Sequence, residues 1–186
     1  MLQRRSRRNA IFRGPGGAVL AVVVLAVIAV VAAALDSPPP PVAGQARVSD
    51  GDSFRLGEKR IRLLGLDAPE LAQSCTAADG RTWPCGRAAR DRMAQFLAAG
   101  PADCRPEDTD QYERLLATCS VGGHDLGATM VAEGLAISAG RYWTEEAAAR
   151  NHRLGIWAGD FDAPRTWRDD HPRPQGISGW LSALGL

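Results

Sequence analysis

The sequence predicts an α+β fold: a small five-stranded β-barrel, closed or nearly closed, with about three helices, preceded by one N-terminal transmembrane helix. Three observations carry that expectation. Residues Ala18 to Leu35 hold no charge, short strand-like runs between turn dipeptides begin near residue 44, and helical periodicity appears among them.

Taken in order, the first thirteen residues carry Arg4, Arg5, Arg7, Arg8 and Arg13 and no acid. The apolar run 18–35 would rise about 27 Å, near the roughly 30 Å of a bilayer's hydrocarbon core. With its basic flank on the N-terminal side it reads as a single-pass signal-anchor, leaving residues 1–17 in the cytoplasm and the remainder outside. Ala32-Ala33-Ala34 offers the rival reading, a cleaved signal peptide and a secreted domain, although a signal's apolar region usually spans only about 7–15 residues. Residues 36–43, with Pro38-Pro39-Pro40-Pro41, make a stiff linker. The folded domain occupies 44–168, and 169–186 form a tail whose Trp180 has no assigned role.

Within the domain, 44–49, 52–56 and 60–66 read as strands, joined by Asp50-Gly51 and by Gly57-Glu58-Lys59. Ala89, Met93, Phe96 and Leu97 recur at helical spacing and predict a helix over 86–99, ended by Gly100-Pro101. Residues 102–105 and 115–121 pair across the polar run 106–113. Asp125 caps a short helix with Leu126, Met130 and Val131 facing inward. Thr144, followed by Glu145 and Glu146, caps a last helix ending near Gly155.

All four cysteines follow the apolar run. An even number in an oxidising compartment suggests two disulfides. Three connectivities are open; Cys75–Cys85 with Cys104–Cys119, the latter across the expected hairpin, is favoured. Zinc is disfavoured, because no Cys-x-x-Cys pair occurs and His124, His152 and His171 are scattered.

Net charge misleads unless divided. The whole chain is +1, but without the five N-terminal arginines 17 basic residues face 21 acids, a balance of −4. No global basic field draws in nucleic acid, so phosphate affinity needs a local arginine cluster or a bound cation.

The chemistry concentrates in residues 50–70. Alone, Asp50-Gly51-Asp52 is a hairpin turn, Arg62 a solvated strand residue, and Asp67-Ala68-Pro69-Glu70 a strand exit into a helix start. Together they mean more. Strand pairing would bring Asp52 and Asp67 side by side, where two carboxylates repel unless a cation such as Ca²⁺ or Mg²⁺ lies between them. An arginine for an anionic oxygen and a further carboxylate for water complete the parts of a metal-assisted phosphodiesterase.

These blocks, with Asp110-Gln111-Tyr112-Glu113-Arg114, Gly155-Ile156-Trp157-Ala158-Gly159 and Pro164-Arg165-Thr166-Trp167-Arg168, resemble the thermonuclease, or staphylococcal-nuclease-like, family over residues 44–168. The resemblance implies an OB-type barrel and Ca²⁺ held by the side chains of Asp52 and Asp67 and the carbonyl of Ala68. It further implies Arg62 and Arg114 on the phosphate, Glu70 as candidate base, and single-stranded DNA or RNA cut with little sequence preference. A monomer is expected. Two departures stand out: Glu113 replaces a glycine before the second arginine, and Ala68 replaces a threonine. Tyr112, Tyr142, Trp143 and Trp83 could stack on bases, with Trp83 the favoured exposed contact and Trp157, Trp167 and Tyr142 assigned to packing. The rivals are a catalytically weak or inactive nucleic-acid-binding module of the same fold, and an envelope structural protein that uses its metal only for stability.

Overall fold

A computed structural model describes residues 15–35 and 39–172. The arginines at positions 4–13, residues 36–38 of the linker and the tail from 173 onward, Trp180 included, lie outside the described residues. The chain divides after Pro38.

Before that division, Pro15–Leu35 form helix α1. Among the described residues no helix is long and apolar enough to cross a membrane, which corrects the expected transmembrane helix at 18–35.

After it, strands Val42–Gly44 (β1), Ala46–Val48 (β2), Ser53–Leu56 (β3), Lys59–Leu63 (β4) and Leu66–Asp67 (β5) lead to a small ribbon, Cys75–Thr76 (β6) with Thr82–Trp83 (β7). Helix Cys85–Ala98 (α2) follows, then the long hairpin Ala102–Thr109 (β8) and Leu115–Val121 (β9), and His124–Asp125 (β10). Leu126–Ala132 (α3), Ile137–Ser138 (β11), Trp143–Asn151 (α4), a 3₁₀ turn at Gly155–Ala158 and Pro164–Asp170 (α5) complete the described order.

Seven strands form one sheet in the order β1-β8-β9-β4-β3-β2, with β10 added to β9. All its pairings are antiparallel except β4 with β9, which runs parallel. The sheet curls as an OB-like barrel around Phe54, Ile61, Leu63, Met93, Met130 and Val131, with α2 and α3 supplying the methionines. Alternation sets this: β8 and β9 bury every second residue as far as the start of the turn between them.

The expected strands need revision where glycine and proline intervene. The run 44–49 is broken at Gln45, so that β1 joins β8 while β2 joins β3. The run 60–66 stops at Leu63 because Gly65 adopts φ +83° and its carbonyl accepts from Ala139 N and Arg141 N. The hairpin is longer than expected, since β8 continues through Pro106 by a register shift between Pro106 and Asp108. Asp125 caps α3 as expected, accepting from Ala128 N at 2.9 Å. Thr144 does not cap α4; the helix starts two residues earlier, at Trp143, after Tyr142 at φ 66°. Helix α5 lay beyond the three expected.

Both favoured disulfides are present, Cys75–Cys85 and Cys104–Cys119. Cys104 and Cys119 are direct register partners on β8 and β9. Cys75–Cys85 joins β6 to the start of α2 and, with Ile156, forms a second small core on which Trp83 and Trp157 pack. Trp83 is therefore a packing residue here and not the exposed contact expected.

Candidate active site

A cleft of about 890 Å³ opens beside the β3–β4–β9 face, and Arg62, Glu70, Arg114, Tyr112, Trp167 and Arg168 line it. Three local structures aim these side chains.

The first is the turn between β2 and β3. Ser49 N and Asp50 N both donate to the Ser53 carbonyl, and Asp50 Oδ1 accepts from Asp52 N at 3.2 Å and Ser53 Oγ at 2.7 Å. This side-chain-closed turn leaves Asp52 only 4 % exposed. Gly51 is required by close approach, since a Cβ there would stand 2.8 Å from both Ala68 Cβ and Ala89 Cβ.

The second is the segment after β5. Asp67 closes β5, Ala68 is buried, and the Glu70 N–H donates to Gln73 Oε1 at 3.1 Å. Gln73 is itself 1 % exposed and donates through Nε2 to the Asp162 carbonyl at 2.7 Å. Gly86, at the start of α2, donates its N–H to the Gln73 carbonyl, and a Cβ on it would collide with the Glu70 carbonyl at 1.7 Å. Helix α2 thus presses directly on the loop that carries Glu70.

The third is the β8–β9 turn. Asp110 Oδ1 accepts from Tyr112 N and Arg114 N, and its Oδ2 accepts from Arg114 Nε at 2.7 Å. Glu113 stands here at φ 59°, so the position does call for the left-handed backbone that glycine takes freely. The Arg60 guanidinium donates to the Tyr112 carbonyl, tying this turn to β4.

The carboxylates converge on two arginines. Arg62 Nη2 lies 2.8 Å from Asp52 Oδ2 and 2.9 Å from Asp67 Oδ1. Arg168, on α5, donates Nη1 to Asp67 Oδ1 and Glu70 Oε1, both at 3.0 Å, and Nη2 to Asp67 Oδ2 at 2.9 Å. Burial pushes the Asp52 carboxyl well above the usual carboxylate range despite the opposing pull of Arg62. Burial would raise Asp50 as well, but hydrogen bonds from Asp52 and Ser53 hold it below its ordinary value. Hydrogen bonding to Asp67, then to Glu70, raises Arg168 further and keeps it charged.

The structure therefore brings Arg62, Glu70 and Arg114 to one cleft, and sets Asp52 and Asp67 against the same arginine nitrogen. Ala68 lies behind them, packed below the Gly51 turn. Among the described residues no group of three or more His, Cys, Asp or Glu side chains is arranged to hold a metal ion. The donor chemistry nonetheless fits a hard cation: two carboxylates share one cationic partner, and one of them is buried where its charge is costly alone.

Several contributors were missed in the sequence. Arg168 stood in a quoted block without a role, and Gln73 carried no signal. Trp167, assigned to packing, stacks on His171 with ring centroids 4.3 Å apart, and both rings line the cleft. Tyr142 instead donates its hydroxyl to Asp125.

A family model described as "Staphylococcal nuclease homologue" matches residues 60–159. A succinoglycan biosynthesis protein, ExoI, of Rhizobium meliloti is 31 % identical over 123 residues, covering 62 % of this chain and 64 % of its own. A protein named "Probable endonuclease LCL3" from Verticillium alfalfae is 28 % identical over 70 % of this chain and 50 % of its own. One named "Probable staphylococcal-like nuclease CAN3" from Oryza sativa subsp. japonica is 29 % identical over 69 % of this chain and 33 % of its own. The chain thus spans between one third and just under two thirds of the lengths of these relatives.

Proposed function

Because the chain belongs to the staphylococcal nuclease homologue family, we propose that it is a Ca²⁺-dependent nuclease that hydrolyses single-stranded DNA and RNA with low sequence specificity. The observation that carries this reading is the convergence of Arg62, Arg114 and Glu70 on one cleft, with Asp52 and Asp67 gathered at Arg62.

Each side chain has a task suited to its chemistry. Arg62 and Arg114 bind non-bridging oxygens of the scissile phosphate and neutralise the charge that builds up as water attacks. Glu70 orients that water and accepts its proton. Arg168 holds Glu70 and Asp67 from the α5 side, fixing the carboxylate that faces the water. Asp52, Asp67 and the Ala68 carbonyl would hold Ca²⁺, which when bound polarises the phosphoryl group. Tyr112 and Trp167 flank the cleft as surfaces on which a base can stack.

Two disulfides support a site of action outside the cytoplasm, where such bonds persist. The test is cleavage of single-stranded DNA and of RNA by the full chain with Ca²⁺ and with chelator. Ca²⁺-dependent loss of both substrates is expected. Tight binding of either with no cleavage in Ca²⁺ would turn the reading to a nucleic-acid-binding module.

A further inference from the structure

Outside the cleft, the register of the barrel stacks arginines across three neighbouring strands. Arg47 on β2 is the direct partner of Arg55 on β3, and Arg55 is the direct partner of Arg60 on β4. Directly opposed residues point to the same face of a sheet, about 4.8 Å apart at the backbone, and like charges so placed destabilise it. Arg47 and Arg55 are exposed, and among the described residues neither is held by a carboxylate.

The row does not stop at Arg60. Arg60 alternates with Arg62 along β4, so both project to the same face, and both line the cleft. At the other end a shallow groove of about 460 Å³ lies over Arg47 and Arg55, with Glu58 at its turn end. A line of positive charge therefore runs from the proposed phosphate arginine outward over β3 to β2. It does so on a domain whose overall balance is acidic, where attraction for a polyanion has to be local.

We infer that Arg47, Arg55 and Arg60 form a phosphate track that binds the backbone of a single-stranded polynucleotide on one side of the bond cleaved in the neighbouring cleft. The occupant is an extended chain of phosphodiesters, because long arginine side chains in a row across three strands can each reach a different phosphate of one backbone. A mononucleotide or small diester would fill the cleft and leave the track idle. The inference rests on the nuclease reading for its position relative to cleavage, while binding alone tests the track.

The experiment compares the full wild-type chain with the double variant Arg47→Ser/Arg55→Ser. A charge-matched control, Arg87→Ser/Arg105→Ser, alters two exposed arginines that line neither cavity. Binding of a labelled twelve-nucleotide oligothymidylate is measured across salt concentrations, and cleavage is measured on that oligomer and on bis(4-nitrophenyl) phosphate. Each single-strand phosphate contact contributes about 0.7 to the slope of log affinity against log salt. The track variant should lose about 1.4 from that slope and raise KM for the oligomer roughly tenfold. Its kcat and its turnover of the small diester should match wild type, and the control should keep its slope. An unchanged slope in the track variant, or an equal loss in the control, overturns the track. If wild type cleaves neither substrate the nuclease reading fails, and the salt slopes still decide whether the track binds.

Discussion

Arg168 grips Asp67 through both terminal guanidinium nitrogens, at 3.0 and 2.9 Å, and the nearer of these to Glu70 reaches that carboxylate as well. Two site carboxylates are thereby braced from a helix that lies beyond the segment matching the family model. Arg168→Ala should reduce kcat by about 10- to 100-fold with little change in KM, since a displaced Glu70 misaligns water without weakening phosphate binding. Arg168→Lys should recover only part of the rate, because one ammonium cannot span both carboxylates. Steady-state kinetics on single-stranded DNA checks both; a rise in KM alone would make Arg168 a phosphate ligand instead.

Glu70→Gln and Arg114→Ala should each cost about 2–4 kcal/mol of transition-state stabilisation, roughly a 30- to 1,000-fold fall in kcat/KM. Both variants should keep the wild-type melting temperature within a few degrees. A Glu70→Gln protein that cleaves at the wild-type rate would leave the proposed base without a role.

Glu113→Gly should stabilise the protein by about 1 kcal/mol, because the left-handed backbone at φ 59° strains any residue with a Cβ. The same change removes an exposed negative charge beside Arg114, so KM for nucleic acid should fall. Chemical denaturation read beside oligonucleotide kinetics measures both effects. A loss of stability would show that the Glu113 side chain contributes more than its backbone strain costs.

Removing the Cys75–Cys85 disulfide by Cys75→Ser/Cys85→Ser frees a short closed loop, with a sequence separation of 10, and should cost about 3 kcal/mol. Because α2 bears on the Glu70 loop through Gly86, kcat should fall together with stability. Matching the variant and wild type at equal fractions folded separates the two contributions.

Asp110 carries a pH prediction with a defined sign. Burial would raise its carboxyl, but backbone and side-chain hydrogen bonds from Arg114, with one from Tyr112, outweigh that and hold it below its unfolded value. Its contribution is present above the unfolded pKa, about 3.9, and is lost as pH falls through the lower folded value. Thermal denaturation from pH 6 to pH 2 should therefore show a shallower acid decline in Asp110→Asn than in wild type. Parallel curves would contradict this assignment.

Much of the site was legible because it lies in local patterns. Asp52, Arg62 and Glu70 sit in short blocks where turn dipeptides and alternation fix which way each side chain faces, and the glycine normally expected at Glu113 already pointed to a left-handed turn. The residues missed act across the fold. Arg168 and Gln73 meet the Glu70 loop through contacts between segments distant in sequence, and neither periodicity nor spacing encodes such a meeting. The extended hairpin was hidden by Pro106, which suppresses a strand reading although a bulge lets the ladder continue past it. Trp167 looked like core because a large apolar ring usually is core; its half-exposed stack on His171 follows from where α5 lands.

The one parallel pairing of the barrel has a consequence for how far the phosphate arginines can drift apart. Arg62 faces Leu116 across β4 and β9, and Arg114 precedes Leu116 by two residues. Their separation is therefore set by a ruler of whole residues, graduated by the hydrogen-bond ladder. Loops elsewhere can lengthen or shrink without moving it. A shift of one graduation would turn Arg114 into the barrel and bring a leucine to the phosphate. The gap between the two arginines is in this sense quantised, and the barrel holds it at one value.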